Sequence, residues 1–201
     1  QSAAGAALDY FVETHAAYPA LRECAEAAST RPAIILEARA AELAAARGLT
    51  HPAFLAAGLF VGPDLNGNRS PLADPRLRGS VIGMGPVGPA SEATSVEALA
   101  VLYLAAVQAL AYSTRAIVEA INDARRAAIA EGADDVPIRA LFACGGLAQR
   151  GLYLREHADA LGMPVYLSEL SNVAMVRGGA MLGAAAAGAF PSVAVAMAGM
   201  G

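Results

Sequence analysis

Apolar positions recur at helical spacing over the first half of the chain. Leu8, Phe11, Val12 and His15 fall on one face of a helix that begins near Ala4, with Ser2 placed to cap it. A second helix is expected from Pro32 to Arg47, with Pro32 in its first turn and Gly48 just past its end. The run Gly58 to Gly62 reads as a short strand. It is followed by a cluster of turn formers from Pro63 to Pro71, and then by a second short strand from Ser80 to Met84. Gly85 to Ser91 is a connection rich in Gly and Pro. Thr94 or Ser95 then opens the longest helical pattern, which runs through Leu99, Leu102, Tyr103, Ala106, Leu110, Ile117 and Ile121 to about Glu131, with Gly132 as its stop. It turns polar in its last third, so its first two-thirds are expected to be buried. From there strand and helix alternate: a strand from Ile138 to Cys144, a turn at Gly145 and Gly146, a helix from Leu147 to Leu161, a strand from Val165 to Leu167 and a small-residue helix from Arg177 to Ala187. Such alternation favours parallel strand pairing with helices against the sheet.

Composition narrows the classes. The chain has 201 residues, 56% of them hydrophobic and 16% charged, which suits one globular domain or part of a larger protein. All 14 basic residues are arginine, and a nucleotide-binding P-loop needs a lysine, so that class is excluded. The net charge is -4 and no basic run stands out, so nucleic acid is not an expected partner. The two cysteines, Cys24 and Cys144, and the three histidines form no metal-ligand spacing. Unpatterned thiols and the lack of a charged-then-apolar leader lead to the expectation of a cytoplasmic location. The uncharged stretch Gly178 to Gly201 is long enough for a membrane span. Its Ala and Gly content and the Pro191-Ser192 break instead favour a buried helix pair, and no membrane association is expected.

Three segments carry candidate chemistry. In Leu141 to Arg150 a strand ends in two glycines and feeds a helix. Such a turn lets the backbone approach a ligand without a Cβ in the way, and the free N–H groups of the next helix favour an anion. A turn that only links strand to helix is an equal reading. In Arg177 to Ala184, small residues at helical spacing favour tight helix packing over ligand contact. In Asn66 to Pro75, Arg69 could bind phosphate, but mutual stabilisation of Arg69 and Asp74 within a structured loop is the simpler reading.

Taken together and in order, Gln1-Ser2-Ala3-Ala4-Gly5, Gly67-Asn68-Arg69-Ser70-Pro71, Ala111-Tyr112-Ser113-Thr114-Arg115, Gly145-Gly146-Leu147 and Gly179-Ala180-Met181-Leu182-Gly183-Ala184 resemble the C-terminal domain of FGGY carbohydrate kinases. The Gly-Asn-Arg-Ser-Pro loop is most similar to the ribulokinase-like, pentulose-kinase branch. The resemblance covers nearly the whole chain, residues 1–201. It implies an α/β fold of the actin-like ATPase (ribonuclease H-like) type, with a mixed sheet flanked by helices. It also implies that the first strands, the phosphate-binding turn and the catalytic aspartate lie upstream of Gln1, so the chain is expected to lack its N-terminal strands. Asp9, Asp64 and Asp74 carry no mark of a base, and no catalytic residue is carried over.

By the same resemblance, Gly145, Gly146, Leu147, Gln149 and Arg150, with Ala4 from the helix bordering the nucleotide, are the expected nucleotide-binding residues. The Gly179 to Ala184 helix corresponds to the family's hinge motif. The family often has Asn where Arg150 stands and Pro where Gly151 stands, so Arg150 either stacks on adenine or faces solvent. The implied function is the ATP-binding half of a kinase that phosphorylates a pentulose such as D-ribulose or a related polyol, with ATP and Mg²⁺ as cofactors. The sugar would be held largely through the missing N-terminal domain. The isolated chain is expected to be inactive and, with sheet edge or apolar surface uncovered, to self-associate, a homo-oligomer included. The alternative is a non-catalytic interaction or structural module of the same fold. The nucleotide reading requires an open groove beside the Gly145-Gly146 bend.

Overall fold

The computed structural model describes residues 3–85, 94–129 and 136–200. The Ser2 cap, most of the Gly85 to Ser91 connection and the expected helix stop at Glu131-Gly132 lie outside the described residues.

One long helix organises the chain. It is called α4, spans Val96–Ala128 and is about 50 Å long at 1.5 Å per residue. Ser95 caps it, its Oγ accepting the Ala98 N–H at 3.0 Å. Glu97 in the first turn and Arg125 and Arg126 in the last have the signs that complement the helix dipole. Leu99, Tyr103, Leu104, Val107 and Leu110 are buried, whereas the last third keeps only Val118 buried, as the polarity pattern predicts. Against this helix pack α1 (Ala4–Glu13), α3 (Pro32–Ala46) and α5 (Gly151–Leu161). They contribute Leu8, Phe11 and Val12 of α1 and Leu36 and Ala40 of α3 to one core.

Two elements are additional to those read from the pattern. The helix α2 (Tyr18–Ala27) has Pro19 in its first turn and buries Leu21 and Ala25, four residues apart. A 3₁₀ turn at Pro52–Ala56 is begun by His51, whose Nδ1 accepts the Ala53 N–H at 3.1 Å.

The strands are shorter than expected and do not form one mixed sheet. β1 (Phe60–Gly62) pairs antiparallel with β2 (Ser80–Ile82), and β3 (Leu141–Ala143) pairs parallel with β4 (Val165–Leu167). Among the described residues these are two separate two-stranded ladders. The first ladder stops at Ile82 because Gly83 turns to a φ of +89°, where a Cβ would strike the Gly58 carbonyl oxygen. The second leaves its face open. Phe142 and Tyr166 stack there at a centroid distance of 5.3 Å, with Phe142 84% exposed.

The C-terminal stretch is a helix pair, α6 (Ala174–Ala186) and α7 (Val193–Met200), but it is not buried. No residue of α6 is buried, and Met175, Val176 and Leu182 are exposed. A Cβ at Gly178, Gly179 or Gly183 would meet nothing within 4 Å, so the expected tight packing at these glycines does not occur among the described residues. The helices α6 and α7 pack against each other. The helix that passes a membrane-length test is instead α4, and most of its apolar window is buried within the fold. The separate helices α6 and α7, with 13 and 8 residues, are each too short to cross.

The Asn66 to Pro75 loop is structured, as read, with a different partner for Asp74. The guanidinium of Arg76, not that of Arg69, clamps it, with Nε to Oδ1 and Nη2 to Oδ2 both at 3.1 Å. Only Pro75 separates Arg76 from Asp74, and the Arg76 backbone N–H also donates to Oδ1 at 2.8 Å, which fixes the pair locally. This fork holds the Asp74 carboxyl below its ordinary pKa.

A buried histidine ties α5 to α4. His157 donates from Nδ1 to the Tyr153 carbonyl at 2.8 Å, and its Nε2 lies 3.1 Å from the Thr114 hydroxyl, which donates to the Leu110 carbonyl at 2.9 Å. Burial lowers its pKa from the ordinary 6.5, with the Tyr153 carbonyl opposing in part. The folded state therefore binds fewer protons than the unfolded chain in the window below pH 6.5. The contribution of neutral His157 is complete above that window and is lost as the pH falls through it. Comparison with a His157→Gln variant isolates this term, because the other titrating groups are common to both proteins. The stability advantage of the parent, read as the difference in Tm, should shrink between about pH 7.5 and about pH 5.5. A constant difference would contradict it.

Candidate functional site

Beside the Gly145-Gly146 bend lies an open cleft of about 580 Å³. Its construction begins at Gly145, whose φ of +88° is the left-handed region that favours glycine. The Gly145 N–H donates to the Ser171 carbonyl at 3.2 Å, and the Gln149 side-chain amide donates to Ser171 Oγ at 3.0 Å. The bend is thus tied to the segment after β4. Gly146 has ordinary helical angles, and a Cβ built on it meets nothing within 4 Å. Its missing side chain therefore leaves open space.

The helix expected from Leu147 is divided. Leu147–Gln149 form a single 3₁₀ turn, Arg150 is extended at φ −109° and ψ 114°, and α5 starts at Gly151. The amides expected to face an anion directly after the glycines are partly consumed in that turn, with Gln149 N–H to Gly146 O and Arg150 N–H to Leu147 O. The Leu152 N–H, in the first turn of α5, faces the carboxylate of Glu37 and favours its ionised form. Burial acts more strongly in the other direction and raises the Glu37 pKa overall, while Arg150 and Arg155 oppose that rise.

Of the residues expected at a nucleotide site, Gly146, Leu147 and Arg150 line the cleft. Gly145 and Gln149 stand behind it as anchors to Ser171. Ala4 packs half-buried against the core, and its neighbour Gly5 borders the cleft. Arg150 is half-buried inside the cleft and does not face open solvent. Its Nη1 donates to the Tyr103 hydroxyl at 3.2 Å, while its Nε is shielded from water and has no partner among the described residues. An unpaired buried donor costs about 1–3 kcal/mol.

Of the opposite walls, sequence reasoning weighed only Asp9, as a carboxylate without the mark of a base. Asp9 and Glu13, one turn apart on α1, line the cleft together with Tyr18, Arg31 and Tyr103. The spacing of Asp9 and Glu13 was available as a signal. Tyr103 offered another, because a tyrosine within an apolar helical run needs a partner for its hydroxyl. Burial raises the Tyr103 pKa. Arg150 opposes this, and Glu37 and Asp9 add to the rise. Among the described residues, no three of His, Cys, Asp and Glu converge to hold a metal ion, so the described side chains do not form a cage for Mg²⁺.

The arrangement is a polar-floored groove whose glycine wall admits close backbone approach. Residues 1–187 match the C-terminal domain of the FGGY family of carbohydrate kinases. The chain belongs to that family. An FGGY carbohydrate kinase domain-containing protein of Homo sapiens is 40% identical over 200 residues, covering 100% of this chain and 33% of the human protein. A D-ribulokinase of Saccharomyces cerevisiae is 34% identical, with 92% of this chain and 24% of the yeast protein covered. A ribulokinase of Bacillus licheniformis is 36% identical over 124 residues, 61% of this chain and 19% of that protein. The FGGY chain thus spans about a third or less of the length of these curated relatives. Its fold is similar to that of a crystallised xyloylose kinase from Brucella ovis, with a TM-score of 0.50 and 23% identity, over 80% of this chain and 31% of that one.

The two glycines of the bend have separable roles in this FGGY domain. Gly145→Ala should destabilise the fold by about 1–3 kcal/mol through its backbone angle. Gly146→Ala should change stability by less than about 0.5 kcal/mol. Urea unfolding of both variants checks this, and equal losses would contradict it.

Proposed function

We propose that this chain is the nucleotide-holding side of a kinase that transfers the γ-phosphoryl group of ATP to a hydroxyl of a pentulose such as D-ribulose or a related polyol. The observation that carries the reading is the open cleft against Gly146 and Leu147, at the point where the family resemblance puts the nucleotide. The naming of two relatives as D-ribulokinase and ribulokinase supports the choice of sugar class.

In this reading the backbone at Gly146 and the side chain of Leu147 lie along the nucleoside. Arg150 and Tyr103 form the polar end of the groove. Phosphoryl transfer asks little covalent chemistry of a protein and depends on positioning and charge neutralisation. Mg²⁺, when bound with the nucleotide, supplies that neutralisation. This chain's part is to hold and orient the nucleoside, while closure of the parent protein over the groove excludes water and limits hydrolysis. None of Asp9, Asp64 and Asp74 is assigned the role of general base. Asp9 lies in the cleft near the Tyr103 hydroxyl, and Asp64 accepts a hydrogen bond from the Asn68 amide at 3.0 Å. Asp74 is clamped by Arg76. A cytoplasmic location, an assembly of like copies and a sugar held mainly outside these residues belong to the same proposal.

Two measurements test it. Gly146→Val places a branched side chain in open space, so the fold should tolerate it while ADP binding, read by calorimetry, weakens at least about tenfold. Unchanged ADP affinity would remove the cleft from consideration. The purified 201-residue chain should show no D-ribulose-dependent ATP turnover in a coupled assay. Turnover would mean that a base is present among these residues.

A further inference from the structure

A helix that follows a glycine bend has free amides at its start, and these favour an anion. In this fold such amides are engaged from within the chain. The Gln149 and Arg150 N–H groups close the 3₁₀ turn onto the Gly146 and Leu147 carbonyls. In the first turn of α5 the Leu152 N–H donates to the carboxylate of Glu37. Glu37 comes from α3, one turn beyond Ala33 on the same face of that helix, and Ala33 lines the cleft. Its carboxylate therefore stands beside the cleft, at the amino end of α5, where the helix dipole favours negative charge. Arg150 and Arg155, on either side of that end, act on the same carboxylate. Arg150 is also tied to the Tyr103 hydroxyl at 3.2 Å. The charged side chains that line the cleft leave no surplus of positive charge, because Asp9 and Glu13 stand against Arg31 and Arg150. A phosphate chain leaving water needs free amides or unbalanced cations to replace its hydration, and a nucleoside needs neither.

We infer that Glu37 is an internal substitute for phosphate at the start of α5, and that the cleft therefore recognises a nucleoside and is indifferent to the phosphates attached to it. Glu37 is a positioning residue. It lies outside the cleft lining and acts through Arg150 and the amino end of α5. The inference rests on the nucleotide reading of the cleft and confines that reading to the nucleoside end.

Calorimetry on the full chain with adenosine and ADP, without Mg²⁺, tests it. The two should bind within about threefold of each other. Glu37→Ala should leave adenosine affinity unchanged and raise that of ADP about threefold to tenfold, the effect of freeing a helix amino terminus for an anion. A merely structural role for Glu37 would move both ligands alike. Glu37→Gln keeps an acceptor for the Leu152 N–H without the charge, and it should shift the ADP-to-adenosine ratio in the same direction. Should the alanine variant fail to fold, the glutamine variant decides. A tenfold or greater difference between adenosine and ADP on the unaltered chain, or a ratio that neither variant changes, overturns the inference while leaving the nucleotide site standing. Absence of binding by both ligands overturns the nucleotide site itself.

Discussion

Removal of the apolar face of α4 from water is the interaction on which the rest depends. Leu99, Tyr103, Leu104, Val107 and Leu110 lie at 2% exposure or less, and α1, α3 and α5 each find their buried partners on that helix. Apolar burial contributes about 25 cal/mol per Å², and among the described residues no other element offers a comparable continuous buried stripe. The short strands contribute three paired positions per ladder, too few to organise a layer of helices. The helices α1, α3 and α5 are therefore held by a central rod, and the groove is what remains open between α1 and the bend before α5.

The same helix carries the polar floor of that groove. Tyr103 belongs to the core by its ring and to the cleft by its hydroxyl. Any shift of α4 relative to α1 and α5 would move the Tyr103 anchor of Arg150 relative to the glycine wall. Rigidity of the site is in this sense a property of core packing, although Gly145, Gln149 and Ser171 add a local polar brace.

Much of this was legible in the residue pattern, for physical reasons that differ by element. The Ser95 cap and the apolar run after it specify α4 because capping and periodicity agree over many turns. Pro32 and Gly48 bracket α3 for the same reason. The helix α2 was missed because its pattern is thin, with Leu21 and Ala25 as its buried positions and six polar or small residues around them. The division at Arg150 was not readable because an extended arginine between a 3₁₀ turn and a helix leaves no mark of its own in the sequence. The open face of α6 had no local signal, since Ala and Gly suit both tight packing and exposure. Of the residues lining the cleft, Gly146, Leu147 and Arg150 were named from a motif and Asp9 only as a carboxylate without the mark of a base. Glu13 and Tyr103 were not placed there, because only the fold brings α1, α4 and the glycine bend to one groove.

The chain contains six tyrosines and no tryptophan. Two of those tyrosines, Tyr18 and Tyr103, border the groove. Its ultraviolet emission therefore comes from phenol rings alone, and a purine entering the groove would meet two of the six emitters at close range. The fold carries its own optical gauge of occupancy, free of the indole background that usually masks tyrosine light.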